Sequence, residues 1–200
     1  MHRSIDIHGG NQQEGQNGGI PSIATQAVAK LLNYVPRVWT TEEPFQKEKE
    51  NVWIHTTETI ALIKEYANLI KKYGGDMAHI INLLIVHDIP EILTGDMDPR
   101  LIDPNTKFYL EEWAMTNLIS NPNDRDLWYE YAFGETIDSK FAKVFDKLQF
   151  LNNLIRLGEE TEYWNAMKKY RVHFEPFPEL LQIVDKPTFL VSEKKIQKVA

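Results

Sequence analysis

The chain contains 200 residues, enough for one domain, and its 42% hydrophobic content is sufficient for a core. The net charge of −7 argues against a sequence-independent grip on nucleic acid, and the absence of cysteine excludes disulfide bonds, thiolate metal sites and a cysteine nucleophile. We find no apolar run near the roughly 18 residues that a membrane span needs and no N-terminal segment typical of a signal peptide. We therefore expect a cytoplasmic protein with no nucleic-acid or membrane partner.

Three segments differ in composition along the chain. Residues 1–22 are predicted to be a flexible N-terminal arm, because residues 8–22 are mostly glycine, asparagine and glutamine with little apolar content. Residues 23–171 are predicted to be a single domain. Residues 172–200 are predicted to be an irregular C-terminal extension, because three prolines interrupt any long helix there.

Helical periodicity dominates the predicted domain, and no segment alternates like a strand. Asn51 and Asp76 are predicted N-caps, and Gly74 with Gly75 is predicted to end the helix between them. The sequence therefore predicts an all-α fold. The predicted helices are residues 23–34, 51–73, 77–86, 106–119, 124–133, 139–157 and 159–170.

A dense group of ionisable residues follows the most apolar run of the chain, residues 80–86. His87 and Asp88 end this run, Glu91 lies three residues further on, and Asp96 follows a glycine. Burying such groups without partners costs several kcal/mol, so a ligand or partner is expected there. A metal ion is one candidate, because imidazole together with carboxylate suits divalent first-row ions.

His55 upstream and Asp146 downstream could complete a metal site with His87. Each residue alone also has a purely structural interpretation: His87 as a core histidine bonded to a backbone carbonyl, His55 as a helix-surface histidine, and Asp146 as a solvated carboxylate beside two lysines. The helix face that carries Asp146 is largely apolar, however, so a carboxylate there needs a partner. Two histidines and two aspartates suit Mn, Fe, Co, Ni or Zn better than Ca or Mg.

Four stretches of the chain resemble the 5'-deoxynucleotidase branch of the HD-domain metal-dependent phosphohydrolase superfamily. The resemblance covers roughly two thirds of the chain and implies an HD-domain helical bundle. The central stretch, His-Asp-Ile-Pro-Glu-Ile-Leu-Thr-Gly-Asp, matches the motif of that superfamily at every defining position. Ile54 departs from it, because an acidic residue usually precedes the first histidine. The four stretches are residues 36–39, 50–55, 87–96, and 127–131 followed by 141–148.

The resemblance implies a role for each matching residue. One divalent transition metal ion (Co, Mn, Zn, Fe or Ni) would be held by His55, His87, Asp88 and Asp146. Catalysis would involve Glu91 as general acid or base and Asp96 near the sugar 3'-hydroxyl or the attacking water. Substrate contacts would come from Arg37, Trp39, Pro90, Asp96 and Met97. In the family the arginine orients the phosphate, and the tryptophan packs on the sugar and disfavours a 2'-hydroxyl. The resemblance also implies a homo-oligomer of at least two subunits.

Three functions are compatible with this pattern. The favoured one is hydrolysis of small-molecule deoxynucleotides, namely deoxynucleoside 5'-monophosphates, to deoxynucleoside and phosphate. The first alternative is a triphosphohydrolase that acts on dNTPs such as dATP, as phage HD enzymes do. Arg100, Lys107 and Arg125 would then be candidate phosphate ligands, although solvated surface charges are the simpler interpretation of these three. The second alternative is a catalytically silent HD scaffold that binds nucleotide or a partner protein.

Overall fold

The computed structural model describes residues 20–41, 50–98 and 100–188, so nearly all of the predicted N-terminal arm lies outside the described residues. Within these ranges the secondary structure is helical and contains no β-strand, which confirms the predicted all-α fold. Short 3₁₀ turns occupy residues 30–34, 38–41 and 64–66. The α-helices are α1 (Ile23–Ala29), α2 (Val52–Ile63), α3 (Ala67–Lys72), α4 (Met77–Val86), α5 (Glu91–Thr94), α6 (Pro104–Leu118), α7 (Pro122–Phe133), α8 (Ile137–Leu157), α9 (Glu160–Phe174) and α10 (Pro178–Val184).

The predicted helix boundaries of residues 51–76 are largely confirmed. Asn51 accepts a hydrogen bond from the Ile54 amide at 2.8 Å, and Asp76 accepts one from the Ala78 amide at 2.8 Å. Gly74 has a φ of 76°, a left-handed conformation that ends the helix at little steric cost. The predicted single helix over 51–73 is instead divided into α2 and α3. Tyr66 leaves helical geometry at the break, and its ring packs 5.3 Å from that of Phe145.

Helix α8 forms the centre of the fold. It packs against α2, α4, α7 and α9, so it is covered on more than one side. Its largest buried side chains, Phe141 and Phe145, stack on each other, and α4 contributes Leu83 and Leu84 to the same core. Each fully buried leucine or phenylalanine contributes about 1.5–3 kcal/mol of hydrophobic stabilisation. The elements that surround the ionisable residues are therefore held by a continuous apolar core.

The C-terminal segment differs from the sequence prediction of irregular structure beyond residue 171. Helix α9 continues to Phe174, and α10 begins at Pro178, where a proline costs no hydrogen bond because the first helical amides have no intrahelical partner. Phe177 lies between these helices, and its ring stacks 4.1 Å from that of Phe141. The prolines therefore separate two short helices that pack on the core. The limits of the domain remain a prediction.

Residues 77–94 form a stretch that is long and apolar enough, by length and composition, to cross a membrane. The expectation that no apolar run approaches this length is therefore wrong. Half of this stretch is buried inside the protein. It comprises α4, α5 and the turn between them, and α4 packs against α1, α2, α7 and α8. A core helix passes the same test, so this property is weak evidence for a membrane span.

Candidate metal centre and cavity

Three of the four predicted metal ligands lie together in the structure. His55 is in the first turn of α2, and His87 and Asp88 follow the last residue of α4. One nitrogen or oxygen atom from each lies within 4.8 Å of the others, and both histidines are buried. The interpretation of His55 as a helix-surface histidine is therefore wrong, because its side chain is covered by α8.

The geometry of His87 directs one ring nitrogen towards this group. Nδ1 lies 2.7 Å from the carbonyl oxygen of Leu84, and a carbonyl only accepts hydrogen bonds, so Nδ1 carries the hydrogen. Nε2 then faces Asp88, 3.0 Å from its Oδ2. Among the described residues, His87 Nε2 and Asp88 Oδ2 are buried without a hydrogen-bond partner. Two such atoms beside a second imidazole fit a divalent cation of the transition series.

A chain of hydrogen bonds behind His55 fixes its second nitrogen. The side-chain nitrogen of Gln149 lies 2.7 Å from a carboxylate oxygen of Glu58 and 3.2 Å from one of Glu50, so it donates to both. The amide oxygen of Gln149 must then face His55, where it accepts from Nδ1 at 2.6 Å. This leaves His55 Nε2 directed at the metal-binding group. This network therefore supports His55 although its neighbour Ile54 is apolar.

The carboxylates around His55 favour positive charge at this position. Burial and the positive charge of Arg37 act to lower the pKa of His55, but its hydrogen bonds to Asp146 and Glu50 outweigh them and raise this pKa to about 9. A proton or a metal ion would satisfy the same field. The donor set and its charge therefore both fit a bound cation.

Asp146, the fourth predicted ligand, contacts the group through only one histidine in this structure. Its Oδ1 lies 2.9 Å from His55 Nε2, and its Oδ2 accepts a hydrogen bond from the Tyr131 hydroxyl at 3.0 Å. Burial acts to raise the pKa of Asp146, but Lys147 and His55 hold it well below the usual range. The interpretation of Asp146 as a solvated carboxylate is wrong, because the residue is buried. Its role as a metal ligand stays a prediction.

Two neighbouring carboxyl groups have pKa values that are displaced in opposite directions. Burial acts to raise the pKa of Asp88, but the positive charges of His87, His55 and Arg37 outweigh it and lower this pKa to about 2. Glu91, the first residue of α5, is 3% exposed. Burial, assisted by Asp88 and Asp96, raises the pKa of Glu91 well above its usual value. Such a divergence is typical of sites where one carboxyl group acts as an acid and another stays ionised.

Asp96 stabilises the turn of residues 37–39, which carries the predicted phosphate and sugar contacts Arg37 and Trp39. Its Oδ2 accepts a hydrogen bond from the Val38 amide at 2.8 Å and lies 3.4 Å from Arg37 Nε. The pKa of Arg37 is raised even though burial opposes this, because Asp96 and Glu91 face the guanidinium. The neighbouring Trp39 ring lies 5.9 Å from that of Phe150, in an edge-to-face arrangement.

Arg37, Trp39, Asp96 and Phe150, with His87, Asp88, Glu91 and Asp146, line one side of a cavity of about 710 Å³. This size is ordinary for small-molecule sites. Of the remaining predicted substrate contacts, Met97 lines the cavity, whereas Pro90 is buried and does not. Of the three cations considered for a triphosphate, Arg100 and Lys107 line the cavity. Arg125 does not line it and instead donates to the Ile119 carbonyl.

The opposite wall comes from α8 and α9 and was missed by the sequence analysis. Its polar side chains include Lys143 and Lys147 from α8, and Asn165, Lys169, Tyr170 and His173 from α9. The sequence signal was the spacing of the cations, because Lys143 and Lys147, like Lys169 and His173, are one helical turn apart. That spacing alone is also typical of a solvated helix face.

Comparisons with known proteins identify the family and the fold. A model of the HD domain matches residues 29–175. A protein named 5'-deoxynucleotidase HDDC2 from Dictyostelium discoideum is 35% identical over 83 residues, which are 38% of this chain and only 44% of that protein. The Xenopus laevis protein of the same name is 26% identical over 168 residues, which are 76% of this chain and 79% of that one.

Two solved structures share the fold. A conserved hypothetical protein from Pyrococcus furiosus has a TM-score of 0.65 at 21% identity, and covers 82% of this chain and 99% of its own. The PH0347 protein from Pyrococcus horikoshii OT3 has a TM-score of 0.66 at 18% identity, with 82% and 98% covered. At these sequence identities, the structural similarity supports the fold alone. Because the domain match spans well over half of the sequence, the chain belongs to the HD-domain family.

Proposed function

We propose that the protein is a divalent-metal-dependent phosphohydrolase that converts deoxynucleoside 5'-monophosphates to deoxynucleosides and phosphate. The observation that carries the proposal is the group of His55, His87 and Asp88, because His87 and Asp88 line the same cavity as Glu91 and Arg37. The names of the Dictyostelium and Xenopus relatives support the substrate class. As with those relatives, a deoxynucleotide is the small-molecule partner that we propose.

His55, His87, Asp88 and Asp146 would hold the metal ion. When bound, a divalent ion supplies Lewis-acid stabilisation of the charge on phosphate and makes water a stronger nucleophile at neutral pH. The identity of this ion is a matter for experiment, with Co, Mn, Zn, Fe and Ni as candidates that suit the donor set.

Arg37 and Glu91 would act directly on the substrate. The Arg37 guanidinium is fixed by Asp96 and so is preorganised to bind and orient an anionic phosphate group. Glu91 holds its proton to higher pH than a solvated glutamate, so it can supply that proton to the 5'-oxygen as the bond from this oxygen to phosphorus breaks. Water provides the oxygen atom that completes the released phosphate.

The sugar would lie against the Arg37–Trp39 turn. Trp39 lines the cavity beside Phe150, which favours an apolar contact with the deoxyribose over a 2'-hydroxyl. Asp96 has one oxygen engaged with this turn, and we place it near the sugar 3'-hydroxyl or the attacking water. Met97 adds an apolar contact in the same region.

A second candidate function is hydrolysis of dNTPs to deoxynucleoside and tripolyphosphate. The observation that favours it is the position of Lys107, which lines the cavity 3.2 Å from Glu111 instead of lying on the open surface. Lys107 is therefore half-buried, and its role in phosphate binding stays a prediction. The two functions share every residue of the metal centre and differ in the product that contains phosphorus.

The deciding experiment uses metal-stripped full-length protein that is reloaded separately with Co²⁺, Mn²⁺ or Zn²⁺. Each preparation is incubated with the four dNMPs and the four dNTPs, and the phosphorus product is identified. Orthophosphate from dNMPs supports the first function, and tripolyphosphate from dNTPs supports the second. If no preparation releases product although metal is bound, the silent scaffold becomes the better account. We also propose that the protein is cytoplasmic and forms a homo-oligomer. Size-exclusion chromatography with light scattering measures the molar mass and therefore the number of subunits.

A further inference from the structure

The cavity has a wall of positive charge that the proposed monophosphate chemistry leaves without a role. Lys143 and Lys147 project from one face of α8, and Lys169 with His173 comes from one face of α9. Helix α9 folds back onto α8 after Gly158, and this packing brings the two pairs together. We refer to Lys143, Lys147, Lys169 and His173 as the cationic wall.

Tyr170 lies between the cations of α8 and those of α9. The ammonium group of Lys147 lies 5.3 Å from the centre of the Tyr170 ring, and that of Lys169 lies 5.6 Å from the same centre. The ring centre of His173 is 6.5 Å from that of Tyr170. Several cationic groups thus surround one aromatic side chain at the edge of the cavity.

Few carboxylates balance this charge. Lys147 pairs with Asp146, which is also engaged with His55 and Tyr131. Lys143 donates to the carbonyl oxygen of Ala132, and within the described part of the chain neither it nor Lys169 forms a salt bridge. Like charges one helical turn apart destabilise a helix, so the sequence places Lys143 and Lys147 together against a local preference.

The remaining acidic residues of the cavity are engaged elsewhere. Asp98 pairs with Arg100 and attracts Lys169 only at longer range, and Glu111 pairs with Lys107. Glu162 lines the cavity from the first turn of α9, seven residues before Lys169, which is about 10 Å along the helix. Apart from the pair between Lys147 and Asp146, the cationic wall therefore has little direct counter-charge, although the net charge of the protein is −7.

The electrostatic environment of three of the four groups agrees with a shortage of counter-charge, whereas Asp146 outweighs burial and raises the pKa of Lys147. Burial and the charge of Lys147 lower the pKa of Lys143 and also that of Lys169. Burial, with Lys147 and Lys143, likewise lowers the pKa of His173. Each of these groups would gain from an anion placed between them.

We propose that Lys143, Lys147 and Lys169 form a subsite for a second phosphate group, so that the cavity binds nucleoside di- and triphosphates more tightly than monophosphates. Phosphate oxygens accept charge-assisted hydrogen bonds from lysine, and a phosphate chain brings the anion that the wall lacks. The inference rests on the proposed function only for the place of the first phosphate, at Arg37 and the metal centre.

The test measures binding separately from turnover. Full-length, metal-loaded Glu91→Ala protein, in which turnover is expected to be slowed by about 10²–10⁴-fold, is titrated calorimetrically with dAMP, dADP and dATP. We expect dADP to bind about tenfold more tightly than dAMP, which is the effect of roughly one charge-assisted hydrogen bond. Equal affinities for the three nucleotides, or no detectable binding of dATP, would overturn the proposal.

Two matched pairs of variants locate the effect. Lys169→Gln is compared with Lys168→Gln, which removes the same charge from the neighbouring exposed residue of α9 outside the cavity lining. Lys143→Gln is compared with Lys140→Gln, one turn earlier on α8 and also outside the lining. We expect Lys169→Gln to weaken dADP binding by about threefold or more and to leave dAMP binding unchanged. Equal losses in Lys169→Gln and Lys168→Gln would reduce the wall to a non-specific field.

The outcome is independent of the proposed function. Failure of the metal-loaded protein to hydrolyse any nucleotide would remove the phosphohydrolase proposal, whereas the preference for a longer phosphate chain is read from binding alone. Lys143→Gln carries a risk to folding because its side chain contacts the α7 terminus, so Lys169→Gln, at an exposed position, is the primary variant.

Discussion

The two walls of the cavity were encoded in different ways. The inner wall comes from His87, Asp88, Glu91, Asp96 and Asp146, with His55 buried behind it. Its ionisable groups are buried or half-buried and carry both signs of charge. The outer wall is the cationic wall on α8 and α9, and its cations are partly exposed and have few partners. A buried group of mixed charge suits a resident cation, whereas a half-exposed group of like charge suits an anion that comes and goes.

Removal of one charge from the inner wall should have the largest effect. Asp88→Asn keeps the shape of the side chain but removes a negative charge that faces both histidines. We expect the purified protein to lose its bound divalent metal and its activity, because the remaining donors are mostly neutral imidazoles. Elemental analysis measures the metal content. Asp126→Asn, at an exposed position of α7, is the control, and full metal occupancy in Asp88→Asn would exclude this residue as a ligand.

Glu91 tests whether the inner wall also performs proton transfer. In Glu91→Ala we expect turnover to fall by about 10²–10⁴-fold, the usual range for a general acid or base, while the metal content stays unchanged. Steady-state kinetics on the best dNMP, together with elemental analysis, measure both quantities. The exposed carboxylate of Glu65 provides the control in Glu65→Ala. Wild-type turnover in Glu91→Ala would remove Glu91 from the mechanism.

The inner wall was predictable because its residues are close in sequence or belong to a specific motif. Asn51 and Asp76 could be placed as N-caps because capping depends on neighbouring amides. The orientation of the Gln149 amide could not be predicted, because it depends on carboxylates that approach from α2 and from the chain preceding it. The packing of Phe177 on Phe141 was also missed, because it depends on residues that are distant in sequence. The prolines of the C-terminal segment predict only that a helix ends there.

The outer wall shows the complementary limit of sequence reasoning. Lys143 and Lys169 acquire their meaning only when α9 packs on α8, and neither helix alone distinguishes a binding surface from a solvated one. Arg100 and Arg125 illustrate the same point. Both were considered for phosphate binding from the sequence, and the fold places only Arg100 in the cavity lining.

Gln149 offers an intermediate test, because it acts on the inner wall without touching the substrate. In Gln149→Leu, His55 Nδ1 loses its acceptor, and Glu50 and Glu58 lose the amide group that lies between them. We expect metal affinity to fall by about 10–100-fold, as is usual when such a supporting hydrogen bond is removed, with activity largely restored at saturating metal.

Competition with a chelator measures the dissociation constant of Co²⁺ or Zn²⁺ for this variant. Gln182→Leu, at an exposed position of α10, controls for the loss of an amide side chain elsewhere. An unchanged dissociation constant in Gln149→Leu would show that the tautomer of His55 is fixed without Gln149. A loss of activity that excess metal does not restore would instead assign Gln149 a role beyond positioning His55.

Trp39 lies where the two walls meet, and its removal should have the smallest effect because it changes selectivity and not chemistry. Its ring packs edge-to-face on Phe150 and lines the cavity, where we propose that it contacts the sugar and disfavours a 2'-hydroxyl. In Trp39→Ala we expect the preference for dNMPs over ribonucleoside monophosphates, measured as the ratio of kcat/KM values, to fall by about tenfold. Trp113→Ala, on an exposed face of α6, should retain that preference. If both variants discriminate as the wild type does, selection against the 2'-hydroxyl resides elsewhere in the cavity, and the inner wall would then be responsible for both chemistry and specificity.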